Sequence, residues 1–138
     1  MPADRVFADT SGLLALAHRQ DQYHGRAVPF VRTFVQSGGR FVVTPLVLAE
    51  LQGLLLYRRG PDTARAVLEA LLGDPLYSCL PVDAELMAAA AGGWLGKLRD
   101  KPLTLCDGVS FEVMQREGIK AAFGYDRHFI DAGFRLAG

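Results

Sequence analysis

The chain has 138 residues, of which 50% are hydrophobic and 22% are charged, and its mean hydropathy is +0.16. This composition excludes a long disordered or low-complexity chain and predicts a single domain over residues 1–138. Lys and Arg together number 15, as do Asp and Glu, so the formal net charge is zero. That balance argues against a sequence-indifferent nucleic-acid coat, which needs a broad basic field, but it permits a local basic groove.

Nothing in the sequence indicates export or membrane insertion. The opening residues lack the charged and apolar regions of a secretory signal. The most apolar stretch, residues 46–57, is interrupted by Glu50 and Gln52 and is too short to span a bilayer. Two cysteines, Cys79 and Cys106, are too few for a disulfide scaffold, and their apolar surroundings predict buried thiols. The sequence therefore predicts a cytoplasmic protein with no membrane partner.

In the first half of the chain, short apolar runs alternate with stretches of helical periodicity. The pattern predicts a strand over residues 5–9, a turn over 9–12 and a short helix over 13–18. Asp21 is expected to cap a longer helix that the glycines at 38–39 stop. A second strand follows over 41–44, and Thr44 and Pro45 suit the start of a helix that ends near residue 60.

The second half repeats the alternation. A helix is predicted over 61–73, an extended run over 77–82, and an Ala-rich helix over 84–98 that Asp83 caps. Thr104 and Asp107 fit a capping box for a helix that Gly118 closes, and strands are expected over 121–125 and 134–136. Strands alternating with helices predict an α/β domain with a mostly parallel central sheet of four to five short strands.

Four carboxylates fall near one edge of this predicted sheet. Asp9 and Asp126 end the first and fourth strands, Glu50 lies early on the helix after the second strand, and Asp107 lies in the first turn of the helix before the fourth strand. Ligands of open parallel sheets bind beyond the carboxyl ends of the strands. Carboxylates gathered there repel one another unless a cation holds them, and Mg²⁺ or Mn²⁺ suits oxygen ligands.

Three of the four acids also have a purely structural explanation. Asp9 fits a helix cap, Asp107 fits the capping box, and Asp126 fits a turn before residue 128. Local sequence alone leaves both explanations open for each of them. The histidines His18 and His128, like the one at position 24, form no defensible Ser/His/Asp arrangement, and we assign them no catalytic role.

Glu50 is harder to explain structurally. Val47, Leu51 and Leu54 share its helix, and we expect them to share its face. A lone carboxylate on an apolar face is costly to desolvate without a partner. Glu50 therefore favours a functional acid cluster over four unrelated structural carboxylates.

Five segments together resemble the PIN-domain family, and the likeness is strongest to the VapC-type toxins of bacterial toxin–antitoxin pairs. The segments are VFADTS at 6–11, DQYHGRA at 21–27, TPLVLAEL at 44–51, LTLCDG at 103–108 and AFGYDRHF at 122–129. Each is short, but their order and spacing cover nearly the whole chain. The resemblance implies a PIN-like three-layer α/β/α fold.

The same resemblance implies a metal-dependent endoribonuclease that hydrolyses RNA phosphodiester bonds. Asp9 and Asp107 would be the most direct Mg²⁺ ligands, with Mn²⁺ as an alternative ion, and Glu50 and Asp126 would complete the site. An antitoxin protein would be the partner. Candidate substrate contacts are the hydroxyl residues beside the first acid and basic residues near the acidic segments: Thr10, Ser11, Arg58 and Arg127.

Other functions remain compatible with this fold. The chain could be a PIN-like protein acting in RNA processing outside a toxin pair, or a non-catalytic protein-interaction module. The residues Leu54, Leu55, Leu56 and Tyr57 cannot all face one core, which predicts a homodimer or a bound antitoxin segment covering some of them.

Overall fold

A computed structural model describes residues 4–138, and the expectations for residues 1–3 lie outside that range. Five strands form one sheet in which every neighbouring pair is parallel. The strands are β1 (Arg5–Ala8), β2 (Arg40–Val43), β3 (Tyr77–Cys79), β4 (Ala121–Phe123) and β5 (Arg135–Ala137). Their spatial order is β3-β2-β1-β4-β5. The helices are α1 (Thr10–Ala17), α2 (His24–Gln36), α3 (Pro45–Arg59), α4 (Pro61–Gly73), α5 (Ala84–Ala89), α6 (Leu105–Glu117) and α7 (His128–Asp131), with a π-helical segment, Ala90–Leu95, continuing α5.

Aromatic side chains show that helices cover both faces of the sheet. On one face, Phe34 of α2 packs on Phe41 of β2 with 5.1 Å between ring centroids. On the other, Phe7 of β1 faces Phe129 of α7 at 6.4 Å. Phe111 of α6 meets Phe129 edge to face at 5.1 Å. The predicted three-layer α/β/α arrangement and parallel sheet are therefore confirmed.

The structure corrects the predicted start of two helices. Residues 9–12 are not a separate turn, because α1 already begins at Thr10 and Asp9 is its N-cap. Gly12 lies against the end of β4, where any Cβ atom would collide with the carbonyl of Phe123. The next helix, α2, begins at His24. Asp21 does not cap it, because its carboxylate accepts a hydrogen bond from Tyr23 N at 2.8 Å in the preceding turn.

Later elements are shorter than predicted. The strand β3 ends at Cys79, whose thiol is exposed rather than buried because β3 is an edge strand. The predicted helix over 84–98 divides into α5 and the π-helical segment, and α7 was not predicted. The fourth strand ends at Phe123, and Tyr125 N donates instead to a side chain of α1. None of the helices within residues 4–138 has the length and apolar character needed to cross a membrane.

Candidate active site

The four predicted acids follow the parallel topology to one edge of the sheet. Asp9 directly follows β1, Glu50 lies in the second turn of α3, Asp107 lies in the first turn of α6, and Asp126 follows β4. One ligand atom each from Asp107, Asp126 and His128 lie within 4.8 Å of one another. The sheet edge therefore holds a compact group of oxygen and nitrogen ligands.

Asp9 is the most deeply buried acid of this group, with only 5% of its surface exposed. Burial raises the pKa of its carboxyl to about 7, and the negative charge of Asp126 adds to the rise. Hydrogen bonds from Ser11 and from the backbone of Thr10 oppose the rise without cancelling it. Ser11 Oγ donates to Asp9 Oδ2 at 2.8 Å, and Ser11 N donates to the same oxygen at 3.4 Å. The carboxylate is therefore well oriented but incompletely compensated.

A hydrogen-bonded link joins Asp9 to the segment after β4. Ser11 Oγ, which donates to Asp9, also accepts a hydrogen bond from Tyr125 N at 2.9 Å. Gly124 makes this approach feasible, since a Cβ atom there would lie 2.7 Å from Ser11 Oγ and 3.1 Å from Asp9 Cβ. The glycine is thus required for close contact between the first and last acidic segments.

Asp107 and Asp126 are each held by a local backbone donor. Asp107 Oδ2 accepts from Thr104 N at 3.0 Å, while Thr104 Oγ1 accepts from Asp107 N at 3.1 Å, so the predicted capping box is confirmed. Asp126 Oδ1 accepts from His128 N at 2.9 Å. Both carboxylates are half-buried. The structural explanations of the acids therefore hold, and they coexist with the cluster.

His128 was not among the site residues predicted from the sequence. Its Nδ1 atom lies 3.2 Å from Asp126 Oδ1, and the ring belongs to the ligand group described above. A search for Ser/His/Asp arrangements could not find it, because its partner here is a carboxylate two residues earlier. The relevant signal is the spacing of Asp126 and His128, which the turn into α7 folds onto the same side.

The structure overturns the expected burial of Glu50, which is exposed. Val47, Leu48, Leu51 and Leu55 are buried and define the apolar stripe of α3. At about 100° per residue, Glu50 lies roughly 115° from the centre of that stripe. The carboxylate therefore escapes desolvation by pointing away from the core.

The surroundings of Cys106 show that Glu50 nevertheless lies near the other acids. Burial, together with the negative charges of Glu50, Asp9 and Asp107, raises the pKa of the half-buried Cys106 thiol to about 12. All three carboxylates therefore lie near this thiol, so Glu50 lies in the same region as Asp9 and Asp107. The structure thus brings the whole acidic quartet to one edge.

The predicted substrate-contact residues differ in their exposure and in their distance from the acids. Thr10 is buried, and its Oγ1 atom has no hydrogen-bond partner within residues 4–138. Ser11 uses its hydroxyl to orient Asp9. Arg127 is exposed beside Asp126, whereas Arg58 lies about 12 Å along α3 beyond Glu50. Proximity therefore favours Arg127 over Arg58 as a substrate contact.

The residues of the cluster fit a divalent cation. Among residues 4–138, no Lys or Arg side chain forms an ion pair with any of the four acids. A buried carboxylate without a cationic neighbour is destabilised by its own charge. Carboxylate oxygens with one imidazole nitrogen are ligands that divalent cations accept in proteins.

This fold and acid cluster define the class of protein. The family model described as PIN domain matches residues 6–135. The chain therefore belongs to the PIN-domain family, as its five motifs predicted.

Known relatives extend this assignment. The chain is 31% identical over 129 residues to the 23S rRNA-specific endonuclease VapC20 of Mycobacterium tuberculosis, covering 94% of this chain and 95% of the relative. The crystal structure of that protein, described as a sarcin–ricin loop cleaving toxin, superimposes with a TM-score of 0.83 at 30% identity, over 94% of this chain and 95% of the other. The predicted resemblance to VapC-type toxin endonucleases is confirmed.

More distant structures share only the fold. FitAcB of Neisseria gonorrhoeae matches with a TM-score of 0.69 at 17% identity, over 96% of each chain. VapBC2 of Rickettsia felis, solved with a DNA fragment from its promoter, matches with a TM-score of 0.66 at 11% identity, again over 96% of each chain.

Proposed function

We propose that this protein is a metal-dependent endoribonuclease that hydrolyses RNA phosphodiester bonds as the toxin of a VapBC-type pair. The observation that carries the proposal is the group of Asp107, Asp126 and His128 ligand atoms within 4.8 Å of one another, beside the buried Asp9. RNA as substrate makes the cytoplasm the compartment in which it would act.

The residues of the cluster have distinct parts in this proposal. Asp9, Asp107 and Asp126 would hold a divalent cation together with His128, and Glu50 would contribute from the exposed side. Ser11, Thr104 N and His128 N each orient one carboxylate before substrate arrives. Such fixed orientation reduces the reorganisation needed during reaction.

When bound, Mg²⁺ or Mn²⁺ supplies the positive charge that stabilises the reacting phosphate and that makes water a competent nucleophile near neutral pH. The protein contributes the acidic pocket and the buried position of Asp9. We infer that Glu50, which is exposed and lies near the other acids, accepts a proton from an incoming water. No Ser or Cys nucleophile is needed in this scheme.

The relative VapC20 is named for 23S rRNA, and its structure for cleavage of the sarcin–ricin loop. We therefore choose an RNA hairpin carrying that loop as the first test substrate, beside an unrelated hairpin of equal length. Purified protein is incubated with each RNA in Mg²⁺, in Mn²⁺ and in EDTA. We expect discrete cleavage of the loop RNA that requires a metal.

Variants test whether the acid cluster performs the cleavage. Asp107→Asn is expected to slow cleavage by about 100-fold or more, because even outer-shell partners of metal sites are worth about 10- to 100-fold. Asp100→Asn, at an exposed position in the turn before α6 and outside the four acids, serves as the matched control for the loss of one carboxylate charge. Cleavage that persists in EDTA or in Asp107→Asn would contradict the proposal. Metal binding without cleavage of any RNA would favour the non-catalytic interaction module.

The toxin assignment also implies an antitoxin, and the apolar surface of α3 supports a homodimer or an antitoxin contact. Leu56 is 45% exposed and Tyr57 is 91% exposed, although Leu55 beside them is buried. We expect Leu56→Glu to lower the oligomeric mass measured by light scattering while leaving the melting temperature nearly unchanged. An unchanged mass with a lowered melting temperature would show that Leu56 serves the fold instead.

A further inference from the structure

A second cavity lies next to the acid cluster, and two arginine side chains line it. Its volume is about 290 Å³, and Tyr23, Arg26, Tyr125 and Arg127 line it together with Gly124 and the end of β5. No acidic side chain from the described part of the chain lines it. We call this cavity the arginine pocket.

The arginine pocket and the acid cluster share a wall. Gly124, which lines the pocket, packs so closely on Asp9 that a Cβ atom there would lie 3.3 Å from Asp9 Oδ2. Tyr125 N donates to Ser11 Oγ, which in turn donates to Asp9. A ligand spanning this wall would touch both sites.

The guanidinium of Arg26 is held in place by aromatic rings. Tyr23 and Tyr125 stack with 4.2 Å between centroids and an interplanar angle of 11°. Arg26 Cζ lies 5.7 Å and 5.1 Å from those two centroids, and its Nη2 donates to Gly138 O at 3.0 Å. Because a guanidinium carries five N–H donors, this leaves several for a ligand.

Two further groups in the pocket have no partner. The side chain of Arg127 forms no hydrogen bond or ion pair with the part of the chain that the structure describes. Tyr125 Oη is buried and likewise unpartnered within residues 4–138. A buried hydroxyl without a partner is costly, and a bound acceptor would remove that cost.

We propose that the arginine pocket binds a phosphate group of the RNA strand next to the bond that is cut, an inference that rests on the proposed function. A strand entering the acid cluster meets four like-charged carboxylates, and Arg26 and Arg127 would hold the flanking phosphate against that repulsion. Arginine suits this role because its planar fork matches phosphate geometry. The pocket favours a phosphate over a stacked base, because the two tyrosine rings stack on each other and each covers one face of the other.

The test measures RNA binding separately from cleavage. A labelled oligoribonucleotide carrying the loop sequence is titrated in EDTA, and fluorescence anisotropy gives its affinity at several salt concentrations. Arg127→Gln and Arg26→Gln are each expected to weaken binding by about tenfold, the usual cost of a lost charge-assisted hydrogen bond. Each should also reduce the salt slope by about 0.7, the value for one phosphate contact on a single strand.

Two controls make the result specific. Arg65→Gln removes an exposed arginine from α4 and should leave affinity and slope unchanged. Arg127→Lys keeps the charge but loses the planar fork, so it should restore the salt slope and recover only part of the affinity that Arg127→Gln loses. Since the Arg127 side chain forms no hydrogen bond or ion pair within the described chain, its variants test the pocket even if Arg26→Gln disturbs the contact with Gly138.

The outcomes separate this inference from the proposed function. Wild-type affinity and slope in both glutamine variants, or no RNA binding by the wild type, would overturn the phosphate subsite. If cleavage requires a metal but RNA binding does not depend on the two arginines, the protein is a ribonuclease without this phosphate subsite. Arginine-dependent binding with no cleavage under any metal would overturn the ribonuclease and retain the subsite.

Discussion

The burial of Asp9 predicts that its removal stabilises the metal-free protein. The carboxyl is 5% exposed, and burial raises its pKa from 3.8 to about 7, with the charge of Asp126 as a smaller cause. Above that pH the fold must hold a charge that water would solvate better. In Asp9→Asn the uncharged amide oxygen can still accept the hydrogen bond from Ser11, so the charge cost disappears while the contact remains.

The expected change in stability follows from the shift in the pKa of Asp9. Between pH 3.8 and about 7 the folded protein binds a proton at Asp9 that the unfolded chain has released. Stability of the wild type therefore falls as pH rises through this window and is lowest above it. About three pKa units correspond to at most about 4 kcal/mol, and we expect Asp9→Asn to recover roughly half of this. That is a rise in melting temperature of about 6 °C for a chain of this size.

The assay is thermal unfolding in EDTA at about pH 8 and about pH 4, where the difference between the variants should be largest and near zero respectively. Asp100→Asn is the control, since it removes an exposed carboxylate of the same charge. Adding Mg²⁺ should then stabilise the wild type but not Asp9→Asn. If Asp9→Asn is no more stable than the wild type at the higher pH, the carboxylate is not the uncompensated charge described above.

Three further predictions concern the surroundings of the cluster. His128→Gln should weaken Mn²⁺ binding by about tenfold in calorimetry and Mg²⁺ binding less, because imidazole favours the softer ion; equal losses would remove His128 from the ligand set. A bound metal should lower the pKa of Cys106 by neutralising the neighbouring acids, so its alkylation, followed by mass spectrometry, should accelerate relative to the exposed Cys79; parallel rates would contradict this. Gly124→Ala should destabilise the fold by about 1–3 kcal/mol in calorimetry, because its Cβ would press on Ser11 Oγ; an unaltered melting temperature would show that this contact relaxes freely.

The layer order and the convergence of the acids could be predicted because they depend on pattern and topology. Apolar strands alternating with helices allow few arrangements, and all carboxyl ends of a parallel sheet meet at one edge. Element boundaries were less predictable, because tertiary contacts set them. The first turn of α1 around Gly12 packs on the end of β4, and Tyr125 N leaves the strand to bond with Ser11. Neither contact has a signal in local sequence.

The position of each acid on its element decided how well its role could be inferred. Glu50 shares a helix with buried leucines, yet its angular offset leaves it in solvent, so proximity along the helix does not predict its burial. The sequence gives no sign that His128 belongs to the site, because only the turn after Asp126 brings its ring beside the carboxylate. The arginine pocket depends on Tyr23 and Tyr125, which are far apart in sequence and stack only in the folded chain.

The acids also show why structural and functional interpretations need not compete. Asp9 caps α1, Asp107 completes a capping box, and Asp126 closes a turn. Each of these local hydrogen bonds fixes a carboxylate that would otherwise rotate freely, and fixed carboxylates bind a metal with less loss of entropy. Removing one of these orienting donors, as in Ser11→Ala, should therefore weaken metal affinity as well as stability, although Ser11 itself is no ligand. Metal affinity that stays at the wild-type value while stability falls would show that capping and ligation are independent.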